Sequence, residues 1–143
     1  MEKSKKVLFV DDEENLLDIL RMGLQDEPYL CLFAASGSQA LGMLSRHKVQ
    51  VIVTDMRMPE MNGLMLLKEV RRQYPDIVRL VLSGHVQIPT LLTAINEGNI
   101  YKFITKPWQM EEELKPLIRE ALEHYDKVNA VKADQPQAAV KSV

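Results

Sequence analysis

The chain has a single cysteine, Cys31, so no internal disulfide can staple it, and a reducing compartment is the natural setting. No concentrated basic face exists. The formal charge is -2, and the one basic cluster, Lys3, Lys5 and Lys6, reads as a solvated lead-in to a strand. Direct binding of nucleic acid by this chain is therefore not expected. No apolar run approaches the roughly 20 residues that a bilayer requires. Near the N-terminus only Val7-Leu8-Phe9-Val10 is continuously apolar before a run of acids, which is not the pattern of a secretory leader. No membrane association is expected, and a cytoplasmic location is.

The sequence does contain enough apolar residues, 46% of 143, for one domain of ordinary size with a buried core. Short apolar runs alternate with stretches of helical period. Strands are predicted at Val7–Val10, Leu30–Ala34, Val49–Thr54, Ile77–Leu82 and Ile100–Thr105. Helices are predicted between them, carrying Leu16, Leu17, Leu20 and Leu24, then Ala40, Leu41 and Leu44 behind an N-cap at Ser36 or Ser38. The next carries Leu64, Leu67 and Val70, followed by one over Pro89–Gly98 and one over Glu111–Val128. Pro116 fits that last helix if it begins near Glu112 or Glu113, and otherwise predicts a kink. Runs this apolar suit parallel strands buried on both faces, and right-handed crossovers then give an α/β fold: an open, doubly wound, five-stranded parallel sheet. The composition after about Lys127 is that of a linker.

Chemistry gathers where the strands end. Asp11 and Asp12 follow the first strand, Asp55 the third, Ser83 the fourth and Lys106 the fifth. Ligands of open α/β sheets bind beyond the carboxyl ends of the strands, so these five side chains are predicted to share one edge. Three carboxylates there repel by roughly 3 kcal/mol per pair at about 5 Å and an effective dielectric near 20. A hard divalent cation offsets that, and carboxylate oxygens with retained waters suit Mg²⁺. Metal, ammonium and hydroxyl together fit a phosphoryl group, and a carboxylate within reach can be its acceptor.

The stretches VLFVDDEEN, VIVTDMRMPEMNG, LVLSGH and YKFITKPW, in this order, resemble the response-regulator receiver domains of two-component signalling, with the flavodoxin-like (βα)5 fold. The resemblance covers roughly residues 5 to 125. It implies that Asp55 is the phosphoacceptor, and that Mg²⁺ is held by Asp11, Asp12, Asp55 and the main-chain carbonyl of Arg57. It implies that Lys106 pairs with the phosphoryl group before a cis bond to Pro107, that Ser83 is the switch hydroxyl and that Phe103 is the switch aromatic. Arg57 and His85 take positions that tune dephosphorylation in the family. Two departures stand out. Serine replaces the common threonine at 83, which frees the rotamer, and phenylalanine replaces tyrosine at 103, which can pack but not donate. Phe103 also reads as ordinary core and His85 as an exposed loop residue. His47 and His124 read as surface residues, Cys31 as buried and inert, and Met56, Met58 and Met61 as either a docking surface or cover for the sheet edge.

The expected function is a phosphorylation-dependent switch, not a turnover enzyme. A sensor histidine kinase or phosphotransfer protein would supply the phosphoryl group. The surface of the fourth helix, fifth strand and fifth helix would change, to be read by an output domain, a downstream protein or a phosphorylation-dependent homodimer. The receiver is expected over 1–125, with a linker or tail over 126–143, as the receiver part of a longer regulator. The alternative is a Mg²⁺-dependent phosphohydrolase working through an aspartyl phosphate on Asp11, with Glu13 as the second acid. Flavin binding on the same fold lacks a Ser/Thr/Gly-rich phosphate loop after the first strand. GNIYKFITKPW is similar to receivers attached to cyclic-dinucleotide phosphodiesterase or ATPase-activator outputs. The fourth helix carries no basic residue, so the charge-paired dimer face of the winged-helix subfamily is not expected.

Overall fold

The computed structural model describes residues 5–84 and 87–134. Five parallel strands, β1 (Lys6–Val10), β2 (Leu30–Ala34), β3 (Val51–Thr54), β4 (Val78–Ser83) and β5 (Lys102–Thr105), lie in the order β2-β1-β3-β4-β5. The order reverses between β1 and β3, which places the topological switch point, and hence the ligand crevice, beyond those two strands. Helices α1 (Glu14–Gly23), α2 (Gly37–Leu44), α3 (Gly63–Gln73), α4 (Ile88–Thr93) and α5 (Lys115–Asp134) complete the doubly wound fold.

Side-chain alternation along the strands sorts the core into two layers. Leu8, Val10, Ile52 and Val81 face one side, where Ala40, Leu44, Leu66, Leu67 and Val70 of α2 and α3 meet them. Val7, Phe9, Val51, Val53, Leu80 and Leu82 face the other, against Leu17, Leu20 and Leu24 of the α1 region and Ile118 and Ala121 of α5. The three inner strands are buried throughout apart from half-buried Lys6, but β2 and β5 are sheet edges and only partly covered. Cys31, on β2, is accordingly half-exposed rather than buried.

Local chemistry starts the helices. Ser36 Oγ accepts the Gln39 N–H at 3.1 Å to cap α2, so the cap is Ser36 and not Ser38. Asn62 Oδ1 does the same for Met65 N–H at 2.9 Å on α3. Two segments depart from the expected α-helices. The fourth helix is regular only to Thr93 and widens into a π-helical turn over Ala94–Gly98, closed by Asn99 in the left-handed region. A second π turn, Met110–Leu114, precedes α5 and leaves Pro116 in the first turn of the α-helix, where a missing N–H costs nothing. Helix α5 also runs to Asp134, past its expected end at Val128; the rest of the C-terminal segment lies outside the described residues.

One polar group is embedded among the apolar contacts. Arg79 of β4 is buried, and its guanidinium donates to the carbonyls of Gly98 (2.8 Å), Ile77 (3.0 Å) and Pro75 (3.3 Å). Truncation would leave buried carbonyls without donors. Arg79→Met is expected to lower the unfolding free energy by about 2–3 kcal/mol, read from urea denaturation of the two proteins.

Candidate functional site: an acidic pocket at the strand ends

Beyond the carboxyl ends of β1, β3, β4 and β5 the predicted residues meet. Three of them, Asp11, Asp55 and Lys106, are placed by a main-chain bond that carries the parallel ladder one step past the strand. Asp11 N–H donates to Ala34 O at 3.1 Å, Asp55 N–H to Val10 O at 3.0 Å and Lys106 N–H to Ser83 O at 3.0 Å. The sheet therefore fixes the backbone under each functional side chain. Carboxylate oxygens of Asp11, Asp12 and Asp55 lie within 4.8 Å of one another, with Asp11 and Asp55 buried and Asp12 exposed at the mouth.

Lys106 Nζ donates to Asp11 Oδ2 at 2.9 Å and stands 3.7 Å from Asp55 Oδ2. Asp55 Oδ1 accepts two hydrogen bonds, from Ser83 Oγ at 2.7 Å and from Met56 N–H at 2.9 Å. The two Asp55 oxygens are thus distinct: Oδ1 is held by neutral donors, and Oδ2 faces the ammonium group. Asp11 Oδ1 accepts the Glu13 N–H at 2.9 Å, so both of its oxygens are engaged.

One ammonium group does not neutralise this pocket. Burial holds the Asp11 carboxyl above its ordinary pKa, against the opposing pull of Lys106 and of the Glu13 N–H, and the charge of Asp55 adds to the rise. Burial pulls Lys106 the other way, yet its hydrogen bond to Asp11 and the charges of Asp55 and Glu13 leave its pKa above the ordinary value. Excess negative charge, two buried carboxylates and an exposed third at the entrance make a donor set that fits a hard divalent cation with part of its water shell retained.

The remaining expected residues fall as follows. Arg57 is exposed beside the pocket, on the β3–α3 loop. Phe103 is half-buried on β5 and packs on the same apolar layer as Leu8 and Val81. The Lys106–Pro107 peptide bond is cis. His85 lies outside the described residues. Met56 and Met58 are buried in the core and Met61 packs against it, so they cover the sheet edge. Neither of the other histidines is a bare surface residue. Lys6 Nζ lies 3.3 Å from His47 Nδ1, and His124 stacks on Tyr101 with ring centroids 4.4 Å apart.

Two contributors escaped sequence reasoning. Glu13, read there only as the second acid of a hydrolase, places Oε1 3.5 Å from Lys106 Nζ and adds a fourth carboxylate to the pocket rim. Gly63 sits directly under the acceptor loop, donating its N–H to Met56 O at 3.0 Å. A Cβ there would lie 2.2 Å from Asp55 O and 2.7 Å from Met56 Cα, so no other residue fits without moving the backbone of Asp55. The run Met61-Asn62-Gly63 was the available signal: a cap residue followed by the glycine that lets α3 approach the strand end.

The family model described as the response regulator receiver domain matches residues 7–119. The hydrogenase transcriptional regulatory protein HoxA of Cupriavidus necator is 41% identical over 122 residues, 85% of this chain and 25% of that protein. The transcriptional regulatory protein GlrR of Escherichia coli K12 is 36% identical over 121 residues, 85% of this chain and 27% of that protein. The chain thus spans about a quarter of the length of these curated relatives. Among solved structures, the signal receiver domain of an HD domain-containing protein from Pseudomonas fluorescens Pf-5 superposes with a TM-score of 0.84 at 35% identity, covering 87% of this chain and 99% of that one.

Gly63→Ala is expected to cost about 1–3 kcal/mol of stability by overpacking. Because the added methyl group pushes on Asp55, Mg²⁺ binding by calorimetry should weaken in the same variant.

Proposed function

This chain belongs to the response regulator receiver domain family, the phosphorylation-dependent signalling modules of two-component systems, and from that membership we propose that Asp55 accepts a phosphoryl group from a partner histidine kinase or phosphotransfer protein. The observation that carries the assignment is the pair of differently partnered oxygens on Asp55, one held by Ser83 and Met56 N–H, the other turned to Lys106. A carboxylate oxygen of Asp55 attacks the phosphorus, the nitrogen–phosphorus bond of the phosphohistidine breaks, and an acyl phosphate forms on Asp55. Asp11, Asp12, Asp55 and the Arg57 carbonyl would hold Mg²⁺, which supplies charge neutralisation at the phosphoryl oxygens.

The new group brings negative charge to a pocket already rich in it. Lys106, already within 4 Å of carboxylate oxygens of Asp11, Glu13 and Asp55, gains a further anionic partner. The Ser83 hydroxyl, now donating to Asp55 Oδ1, gains a stronger acceptor in a phosphoryl oxygen. Ser83 ends β4 just before the chain enters α4, so its displacement biases that helix, and Phe103 on the neighbouring β5 repacks with it. Water attack on the acyl phosphate resets the switch, and Arg57, exposed beside the pocket, sets its rate together with His85, a role His85 takes from its sequence position alone. The reading is of a cytoplasmic switch that catalyses only its own phosphorylation and dephosphorylation. Residues 1–125 form the receiver of a longer regulator. The α4–β5–α5 surface reports the state to an output domain, a downstream protein or a second copy. Among the described residues no helix is long and apolar enough to cross a membrane.

Beryllofluoride with Mg²⁺, a mimic of the bound phosphoryl group, should raise the melting temperature of the wild type and leave Asp55→Asn unchanged. At about 100-fold excess over Kd the stabilisation is roughly 2.7 kcal/mol. Equal protection of both proteins would remove Asp55 from the role. Steady hydrolysis of a small phosphomonoester that survives Asp55→Asn would establish the phosphohydrolase alternative instead.

A further inference from the structure

Helix α4 is held unevenly along its length. None of its residues Ile88–Thr93 is buried, Ile88 is 71% exposed, and its N-cap residue Gln87 offers no side-chain bond. The π turn that continues it is bound tightly. Ala94 and Gly98 are buried, and the turn's carbonyls are gathered by cations. Arg71 Nη1 donates to Glu97 O at 2.9 Å and to Asn96 O at 3.3 Å, and Arg79 Nε donates to Gly98 O at 2.8 Å. Lys68 Nζ adds an ion pair with Glu97 Oε1 at 3.0 Å. Orphan carbonyls and the negative end of the helix dipole both favour such partners.

The two arginines are not equivalent. Arg79 is buried and also bonded to Ile77 and Pro75, so it is fixed to β4 and its loop. Arg71 lies exposed on α3, and its guanidinium crosses to the π turn. One can stay bonded while α4 pivots about Gly98; the other must let go when the carbonyls of Asn96 and Glu97 turn away. A π turn is suited to such a movement, because its i→i+5 bonds hold an extra residue that a shift of register can release.

We propose that Arg71 is a positioning residue that latches α4 in its resting orientation about a pivot at Arg79, and so sets how readily the Asp55 site passes to the phosphorylated state. The proposal rests on the phosphoacceptor reading for the site it governs. The latch favours the resting state, so the affinity of the site for a phosphoryl mimic is reduced by the fraction of molecules it holds there. Removing the latch therefore tightens binding at a pocket it does not touch.

The test uses Arg71→Gln, with Arg71→Lys as the conservative control, and measures beryllofluoride affinity at saturating Mg²⁺ alongside hydrogen exchange of the amides in residues 88–98. Arg71→Gln should bind roughly two- to tenfold more tightly than the wild type, the ratio that exposed hydrogen bonds of ordinary net strength support. Its 88–98 amides should exchange faster without the mimic, and Arg71→Lys should lie near the wild type in both. General structural damage would weaken binding instead, so equal or weaker affinity in Arg71→Gln overturns the latch, as does unchanged exchange. If the wild type shows no binding that Asp55→Asn abolishes, the phosphoacceptor reading falls and the latch falls with it. If the wild type binds and Arg71→Gln binds no tighter, the latch alone falls.

Discussion

The hydrogen bond from Lys106 Nζ to Asp11 Oδ2 joins residues 95 positions apart and holds together a pocket that would otherwise repel itself. Asp11, Asp55 and Glu13 all lie within 4 Å of that one ammonium group, and Asp12 closes the ring of acids at the mouth. The arrangement is deliberately incomplete in charge. Lys106 is raised above its ordinary pKa by these anions, yet Asp11 is still raised above its own by burial. The negative charge left over is of the kind a hard divalent cation would offset.

A pocket under that electrostatic load needs a rigid base, and the parallel sheet provides it through main-chain bonds. The last rung beyond each strand is made by the N–H of the functional residue itself, at Asp11, Asp55 and Lys106. Side chains can move while their backbones stay in register. Gly63 serves the same end from the other side, since only a residue without a Cβ lets α3 begin against the carbonyl of Asp55. Asp55 is thus held from the sheet through its amide and from α3 through its neighbour's carbonyl.

These constraints divide what the sequence could show from what it could not. Asp11, Asp55, Ser83 and Lys106 were legible because each follows an apolar run that can only be a strand, and a parallel sheet brings strand ends to one edge. The element order and an N-cap at Ser36 or Ser38 were legible for similarly local reasons. The half-exposure of Cys31 was not, because apolar content does not say which strand forms a sheet edge. Both π turns were hidden as well, since Ala94–Gly98 and Met110–Leu114 read as ordinary helix and widen only in answer to tertiary contacts. Arg71 and Arg79 looked like one exposed helix residue and one strand residue. Their shared grip on a carbonyl cluster some twenty residues later is a property of packing, which periodicity does not encode.

Packing is also unequal among the helices. Helices α1 and α5 bury Leu17, Leu20, Ile118 and Ala121 against one face of the sheet, whereas α4 proper buries nothing. Elements that move are drawn from the least stabilised parts of a fold. Ser83 therefore stands at a junction, with its hydroxyl on Asp55 and its chain leading toward the one helix of the described residues that has no buried side chain before its π turn. On the proposed reading, a change of charge at Asp55 would be accommodated in α4, the helix held by the fewest buried side chains. Under the proposed latch, the cations that gather the far end of that helix would set how readily it moves.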